Sequence, residues 1–490
     1  METARRAHYR VTFGVLALGV GAYALLQSLV MPVLPTIQES LGTSQTNVTW
    51  VLTAYLLSAS IFTPIMGRLG DMHGKKRLFV IALVALGAGS LLAALATSLS
   101  VMIVARVIQG VGGGVLPLAF GIIRDEFPRD KVPGAVGIIA ALTAVGAGLG
   151  IVFAGPIVDV LSYHWLFWIP LIMITTGAVA AFFLVPESQI RNEGKVNWAT
   201  ALLLSGWLVA LLLSVSQAPS WGWGSFKVLG LLVAALVILV VWVIAETRSS
   251  NPLIDMKMMR IRTVWAANLV ALLMGVGMYA NFGFLPQFLQ TPTSAGYGFG
   301  ASVTQSGLML LPMTIGMFLL GLASGPMAAR FGSKNVLFVG SLIGAVGYFM
   351  LAFLHQYEID IYIAMAIVGV GFGLAFSAMS NVVVAAVSPA QTGVASGMNA
   401  NIRTIGGSLG AAFMASVVSS GAAPSGLPKE SGYTNGFVML GIAVVLGAFA
   451  ALFIPAIKRN QQSQLEDSAE LAHGELALIA GGTVVGDESE

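Results

Sequence analysis

Fourteen stretches of this 490-residue chain are apolar for long enough to cross a lipid bilayer, at about 11–31, 48–66, 78–97, 101–123, 134–158, 166–185, 199–217, 226–245, 263–288, 303–324, 336–354, 360–383, 393–420 and 435–456. A spanning helix needs roughly 20 such residues. Backbone that faces lipid finds no water for its N–H and C=O groups, so these stretches read as α-helices. None shows the period-two alternation of a membrane barrel strand. Arg5, Arg6 and Arg10 precede the first stretch, which is longer than the apolar core of a cleaved signal peptide and lacks its small-residue cleavage site. It reads as a retained first helix.

Charge sharpens this map. Hydrophobic residues make up 57% of the chain and charged residues 9%, too few to cover a soluble surface. With the N-terminus placed in the cytoplasm, Lys227 and Lys429 are the lysines and arginines in external segments, and Arg106 and Arg403 lie within helices; all the others fall on the cytoplasmic side. This asymmetry supports both the helix count and the orientation, with both termini cytoplasmic. The 58 glycines suit membrane helices, where they permit close packing. The chain has no cysteine, and its five histidines form no ligand-spaced pair, so neither a metal nor a cofactor is expected. Residues 458–490 begin with Lys458 and Arg459 and then turn acidic and polar, as a disordered tail does.

An internal repeat sets the architecture. Gly67 and Gly74, after helix 2, recur as Gly325 and Gly332 after helix 10, offset by 258 residues. Gly110, Gly112 and Gly114 in helix 4 recur as Gly369, Gly371 and Gly373 in helix 12, offset by 259. Gly137, Gly146 and Gly150 in helix 5 recur as Gly397, Gly406 and Gly410 in helix 13, offset by 260. The expected fold is therefore an all-α membrane protein of two duplicated six-helix bundles plus two intervening helices. An N-terminal tail covers 1–10, the first bundle 11–186, a linker with helices 7 and 8 187–262, the second bundle 263–457 and the acidic tail 458–490. Parallel repeats enclosing a central site are a transporter plan.

These residues resemble the major facilitator superfamily, and in particular its fourteen-helix drug:proton antiporter branch, over roughly 11–457. The loop Gly67–Arg77 is similar to the signature loop between helices 2 and 3, and Arg106, Gln109, Gly110 and Gly112 to the helix 4 motif. The helix 5 glycines resemble the antiporter motif associated with exporters. Leu161–Trp168 and Trp221–Gly224 also look like this branch. Two positions depart from it. Leu26 stands where the family often has a helix 1 Asp, and Ile151 where a Pro usually follows Gly150. The resemblance implies multidrug efflux across the plasma (inner) membrane by alternating access and proton antiport.

The candidate gating motif is Gly67, Arg68, Asp71, Gly74 and Arg77. Glycines allow a tight turn, and the Asp71 carboxylate can latch a neighbouring helix start in one state; the plainer alternative is a solvated loop charge. Arg106 and Arg403 are intramembrane charges, costly unless they face a cavity or a partner; the alternative for Arg106 is snorkelling to the interface. Gly146 and Gly150, with Gly406 and Gly410, form small-residue stripes that pack helices tightly and could serve as a sliding seam between the halves. Tyr23, Gln27, Gln109, Asn281 and Asn399 are candidates for a substrate cavity, with Phe282 and neighbouring methionines as an adaptable apolar wall. Asp71 and Asp159 are the candidate proton sites.

The leading reading is a monomeric secondary transporter, not an enzyme, that exports hydrophobic small molecules, with the substrate, protons and the bilayer as its partners and no nucleic acid. The alternative is an exporter of an anionic or neutral metabolite with atypical or no proton coupling. It is favoured by two intramembrane arginines and the lack of a midplane carboxylate. No repeated filter or charged ring points to a channel, and no nucleophile–base pair points to an enzyme.

Overall fold

The computed structural model describes residues 9–43, 45–48, 50–129, 131–188, 197–249, 252–388, 391–419 and 428–455. The expected tail at 458–490 lies outside them, as do the first eight residues. Among the described residues all regular structure is helical, and fourteen long helices follow one another. The first six are α1 (Tyr9–Leu29), α2 (Trp50–His73), α3 (Lys75–Ala94), α4 (Leu99–Glu126), α5 (Val132–Val160) and α6 (Trp165–Leu184). Two more, α7 (Trp198–Trp221) and α8 (Phe226–Arg248), precede the last six. These are α9 (Arg262–Gln290), α10 (Val303–Phe331), α11 (Ser333–Phe353), α12 (Glu358–Ala386), α13 (Thr392–Ser419) and α14 (Glu430–Ala451).

Among the described residues thirteen of these are long and apolar enough to cross a membrane. The exception, α13, is 28 residues long, but its apolar run is broken by Asn399, Asn401, Arg403 and Ser408. Such polarity within a spanning helix points inward to a bundle or a cavity rather than to lipid. At the other extreme, α8 is the most apolar helix and the least buried. Its buried residues Val228, Ala235 and Trp242 recur every seven positions, a single stripe against α7. Side chains fix several helix starts. Ser98 caps α4, Asn197 caps α7, Ser225 caps α8, and Ser302 with Gln305 forms a capping box at α10.

The buried apolar residues form two main clusters, one drawn chiefly from α1–α6 and the other from α9–α14 with α7. The duplicated glycines make the same contacts in each. Gly146 and Gly150 of α5 pack against the α1 backbone at Gly21 and Leu25, while Gly406 and Gly410 of α13 pack against α9 at Leu272 and Val276. Within α4 the helix tightens to a 3-10 turn over Val111–Gly114, and Gly110 and Gly113 let α2 approach at Ser58 and Thr63. The bundles meet along α2–α13, α4–α13, α5–α10 and α5–α12. Helix α7 packs against α2 and α13, and the turn before α8 is held by Trp223, which stacks on Phe413 at 5.4 Å and donates to Ser416 Oγ at 2.7 Å.

Candidate functional site

A cavity of about 200 Å³ lies between the bundles, with walls from α1, α2, α4, α5, α9, α12 and α13. Met31, Leu52, Met278 and Phe282 make much of the wall apolar, and Gln27, Tyr55, Arg106, Thr143, Tyr279 and Arg403 supply the polar groups. A smaller adjoining pocket shares Gln27, Tyr279 and Arg403 and adds Tyr23 and Asn401. Gln27 Nε2 donates to the Tyr279 hydroxyl at 3.4 Å, joining α1 to α9 across the bundles.

Arg106 is fully buried. Its Nε donates to the Val51 carbonyl at 3.0 Å and its Nη1 to Gln109 Oε1 at 2.7 Å. Gln109 Nε2 in turn donates to Ser90 Oγ at 3.2 Å. The guanidinium stacks over the Tyr55 ring, 4.4 Å from its centre. Three helices thus fix its plane, and its Nη2 has no hydrogen-bond partner among the described residues. Arg403 is half-buried and stacks over Phe376 at 5.2 Å. It forms no ion pair among the described residues.

A second cluster closes the face at which α1 begins. Asp71 is fully buried there. Its Oδ1 lies 3.5 Å from Lys75 Nζ, and its Oδ2 accepts from the Val394 N–H at 3.4 Å. Lys75 also pairs with Asp125 at 2.8 Å. Arg124 donates to the Val384 carbonyl, and to Thr392 Oγ1 at 2.9 Å. The ends of α2 and α4 are thereby bonded to the end of α12 and the start of α13. Gly67 allows this approach, since a Cβ there would lie 2.6 Å from the Gly393 carbonyl oxygen. Gly74 turns the chain from α2 into α3 with φ +109°, a left-handed conformation that favours glycine. Beside it, Glu187 accepts from the Lys76 and Arg77 N–H groups at 3.2 Å and so caps α3.

Not every candidate residue joins these two clusters. The Arg77 side chain is exposed, away from Asp71. The Arg68 Nε is buried without a partner among the described residues, and Arg68 lines a separate pocket with Leu253, Asp255 and Gln391. Asp255 Oδ2 accepts from Gln391 Nε2 at 3.2 Å, and Glu246 Oε2 from the Leu253 N–H at 2.9 Å, so the connection between α8 and α9 is tied down beside the Asp71 cluster. Gln109 sits outside the cavity wall as the support of Arg106. Asn281 is buried against Met313 and Met365. Asn399 donates to Asn268 Oδ1 at 3.0 Å and lines a minor pocket beside Arg403. Asp159 is exposed at the opposite face, where Thr304 Oγ1 donates to it at 2.7 Å.

The stripes Gly146–Gly150 and Gly406–Gly410 do not lie between the halves. Each packs within its own bundle because the small residues that face the other bundle are different ones: Gly148 and Gly155 meet Thr314 and Thr304 of α10, and Gly137 meets Ser377 of α12. Sequence reasoning did not single out Lys75, Arg124, Asp125 or Glu187 for roles of their own. Their one signal was position, as charges at helix ends on the same face as the Gly67–Arg77 loop.

The sequence model of the Major Facilitator Superfamily matches residues 16–411 and 299–480. The multidrug transporter protein MdtP of Bacillus subtilis (strain 168) is 30% identical over 403 residues, which cover 81% of this chain and 72% of that protein. The cephamycin export protein CmcT of Amycolatopsis lactamdurans is 30% identical over 448 residues, covering 88% and 90%. The crystal structure of the human organic anion transporter MFSD10 (TETRAN) superposes with a TM-score of 0.65 at 17% identity, over 90% of this chain and 99% of that one, a likeness of fold.

Proposed function

Because the chain belongs to the Major Facilitator Superfamily, and so is a multi-pass membrane transporter rather than an enzyme, we propose that it exports apolar and amphiphilic small molecules by alternating access in exchange for protons. The observation that carries this reading is a mainly apolar cavity walled by both bundles, above a buried ionic clasp that joins the bundles at one face. In this reading that face is cytoplasmic, both termini lie there, and the membrane is the plasma membrane. The protein works as a monomer, since each half supplies part of the cavity wall. Relatives named as a multidrug transporter and an antibiotic exporter support the outward direction.

The clasp suggests how the face opens. Asp71 holds Lys75 and the Val394 amide as a carboxylate. Protonation removes the charge that both contacts depend on, so a proton arriving at Asp71 loosens α2 from α13. Once the contact is broken, the bundles can part on this side and close on the other.

Purified protein in inside-out oriented vesicles with an acid interior tests the reading. An apolar fluorescent dye is expected to accumulate unchanged inside, and to stop accumulating when the pH gradient is collapsed. Purely downhill flux that ignores the gradient would remove the proton exchange. Topology reporters fused near Asn192 and Gly222 should read cytoplasmic and external respectively, and the reverse result would invert the orientation.

A further inference from the structure

We infer that the cavity selects amphiphilic anions, whose acidic group is held between Arg106 of α4 and Arg403 of α13. This deepens the export reading above and rests on it. A guanidinium carries a positive charge, and a charge out of water is costly unless it is paired. Among the described residues, the acceptors of Arg106 are the neutral Val51 carbonyl and Gln109 Oε1, which engage Nε and Nη1 while Nη2 has no partner. Arg403 has an aromatic face and, among the described residues, no carboxylate partner. No Asp or Glu lines the cavity or its adjoining pocket among the described residues. The buried carboxylates Asp71 and Asp125 are engaged with Lys75 at the clasp.

The cavity therefore holds two fixed positive charges with no counter-ion among the described residues. A cationic ligand would add a third like charge, and a neutral one would leave both unpaired. A carboxylate or sulfonate matches the guanidinium fork and completes the site. The rest of the wall suits the apolar body of such a molecule, with Met31 and Met278 able to adapt their shape and Phe282 offering a flat face. The two arginines also come from opposite bundles. An anion bound to both bridges α4 to α13, so the contact that selects the charge draws the bundles together around it.

Three probes test this on the purified full-length protein by equilibrium binding. Dansylate is a sulfonate, dansylamide is its uncharged counterpart with the same aromatic body, and tetraphenylphosphonium is a permanent lipophilic cation. Wild type is expected to bind dansylate about tenfold or more tightly than dansylamide, and tetraphenylphosphonium weakest. Arg106→Met and Arg403→Met should each cut the dansylate-to-dansylamide ratio about tenfold, and Arg403→Lys should restore part of it. If Arg106→Met fails to fold, having lost its bonds to Val51 and Gln109, Arg403→Met decides, because Arg403 makes no hydrogen bond within the protein among the described residues. Tetraphenylphosphonium binding as tightly as dansylate, or a ratio unmoved by Arg403→Met, overturns the inference and leaves the export reading standing. Failure of all three probes to bind, dansylamide included, counts against the export reading itself and takes the inference with it.

Discussion

The turn after α2 and the turn after α10, 258 residues apart, share a backbone conformation and differ in chemistry. Both pivot on a glycine with positive φ, +109° at Gly74 and +83° at Gly332, and in both the next helix begins at the following residue. The residue aligned with Asp71 is Ala329, and it is exposed. The residue aligned with Lys75 is Ser333, and the partner carboxylate Asp125 corresponds to buried Val384. On the α10 side Arg330 lies over the ring of its neighbour Phe331, and Lys334 donates to the Leu452 carbonyl at 2.7 Å, a contact within its own bundle. The backbone turn, which steric rules dictate, is thus common to both, while among the described residues a buried ionic clasp reaching the opposite bundle is found at the α2 turn and not at the α10 turn. Backbone geometry and gating chemistry are separable layers of the same motif.

The comparison can be broken most directly at its charge. Asp71→Asn keeps size and removes the carboxylate that meets Lys75 and Val394, so transport in vesicles is expected to fall about tenfold or more with insertion unchanged. Wild-type turnover in that variant would make the two turns functionally equal. Alanine at the paired glycines gives a middle-sized effect. Each replacement meets a positive-φ backbone cost of about 1–3 kcal/mol. At Gly74 the added Cβ would also lie 2.5 Å from Glu187 Oε1, whose carboxylate caps α3, whereas at Gly332 nothing lies within 4 Å. The unfolding midpoint in detergent should therefore drop further for Gly74→Ala than for Gly332→Ala; equal drops would show that Glu187 yields without cost. Lys334→Gln should do least, within about 0.5 kcal/mol by the same measurement, because its contact is exposed and stays within one bundle.

Much of this architecture could be read from sequence because membranes impose strong rules. Long apolar runs and sparse charges were enough to anticipate fourteen helices, and three repeat offsets divided them into two sets of six with two between. The most polar of them, α13, was legible both as the stretch at 393–420 and through its repeated glycines. What escaped was direction around each helix axis. An apolar helix such as α5 shows little contrast between its faces, so a glycine stripe reveals close packing without naming the neighbour; Gly146 and Gly150 meet α1 instead of α10. The same ambiguity put Gln109 and Asn281 among the cavity candidates, where one supports Arg106 and the other faces methionines. Arg106 was easier to recognise, because an ionised group deep in a span must find a cavity or a partner. The partners of Asp71 were hidden for another reason. Lys75 is four residues away, but Val394, which donates to Asp71, and Asp125, which pairs with Lys75, are distant in sequence and arrive only through the packing of α13 and α4.

The two unpaired guanidiniums carry a consequence for energetics. A monovalent cation leaving the cell in exchange for one proton moves no net charge. An anion leaving against an entering proton moves two elementary charges in the same electrical direction. With a potential negative inside, each charge contributes about 2.3 kcal/mol per 100 mV. Exchange of the proposed anion for a proton would therefore be electrogenic, and export would run on membrane voltage even where the pH difference has vanished.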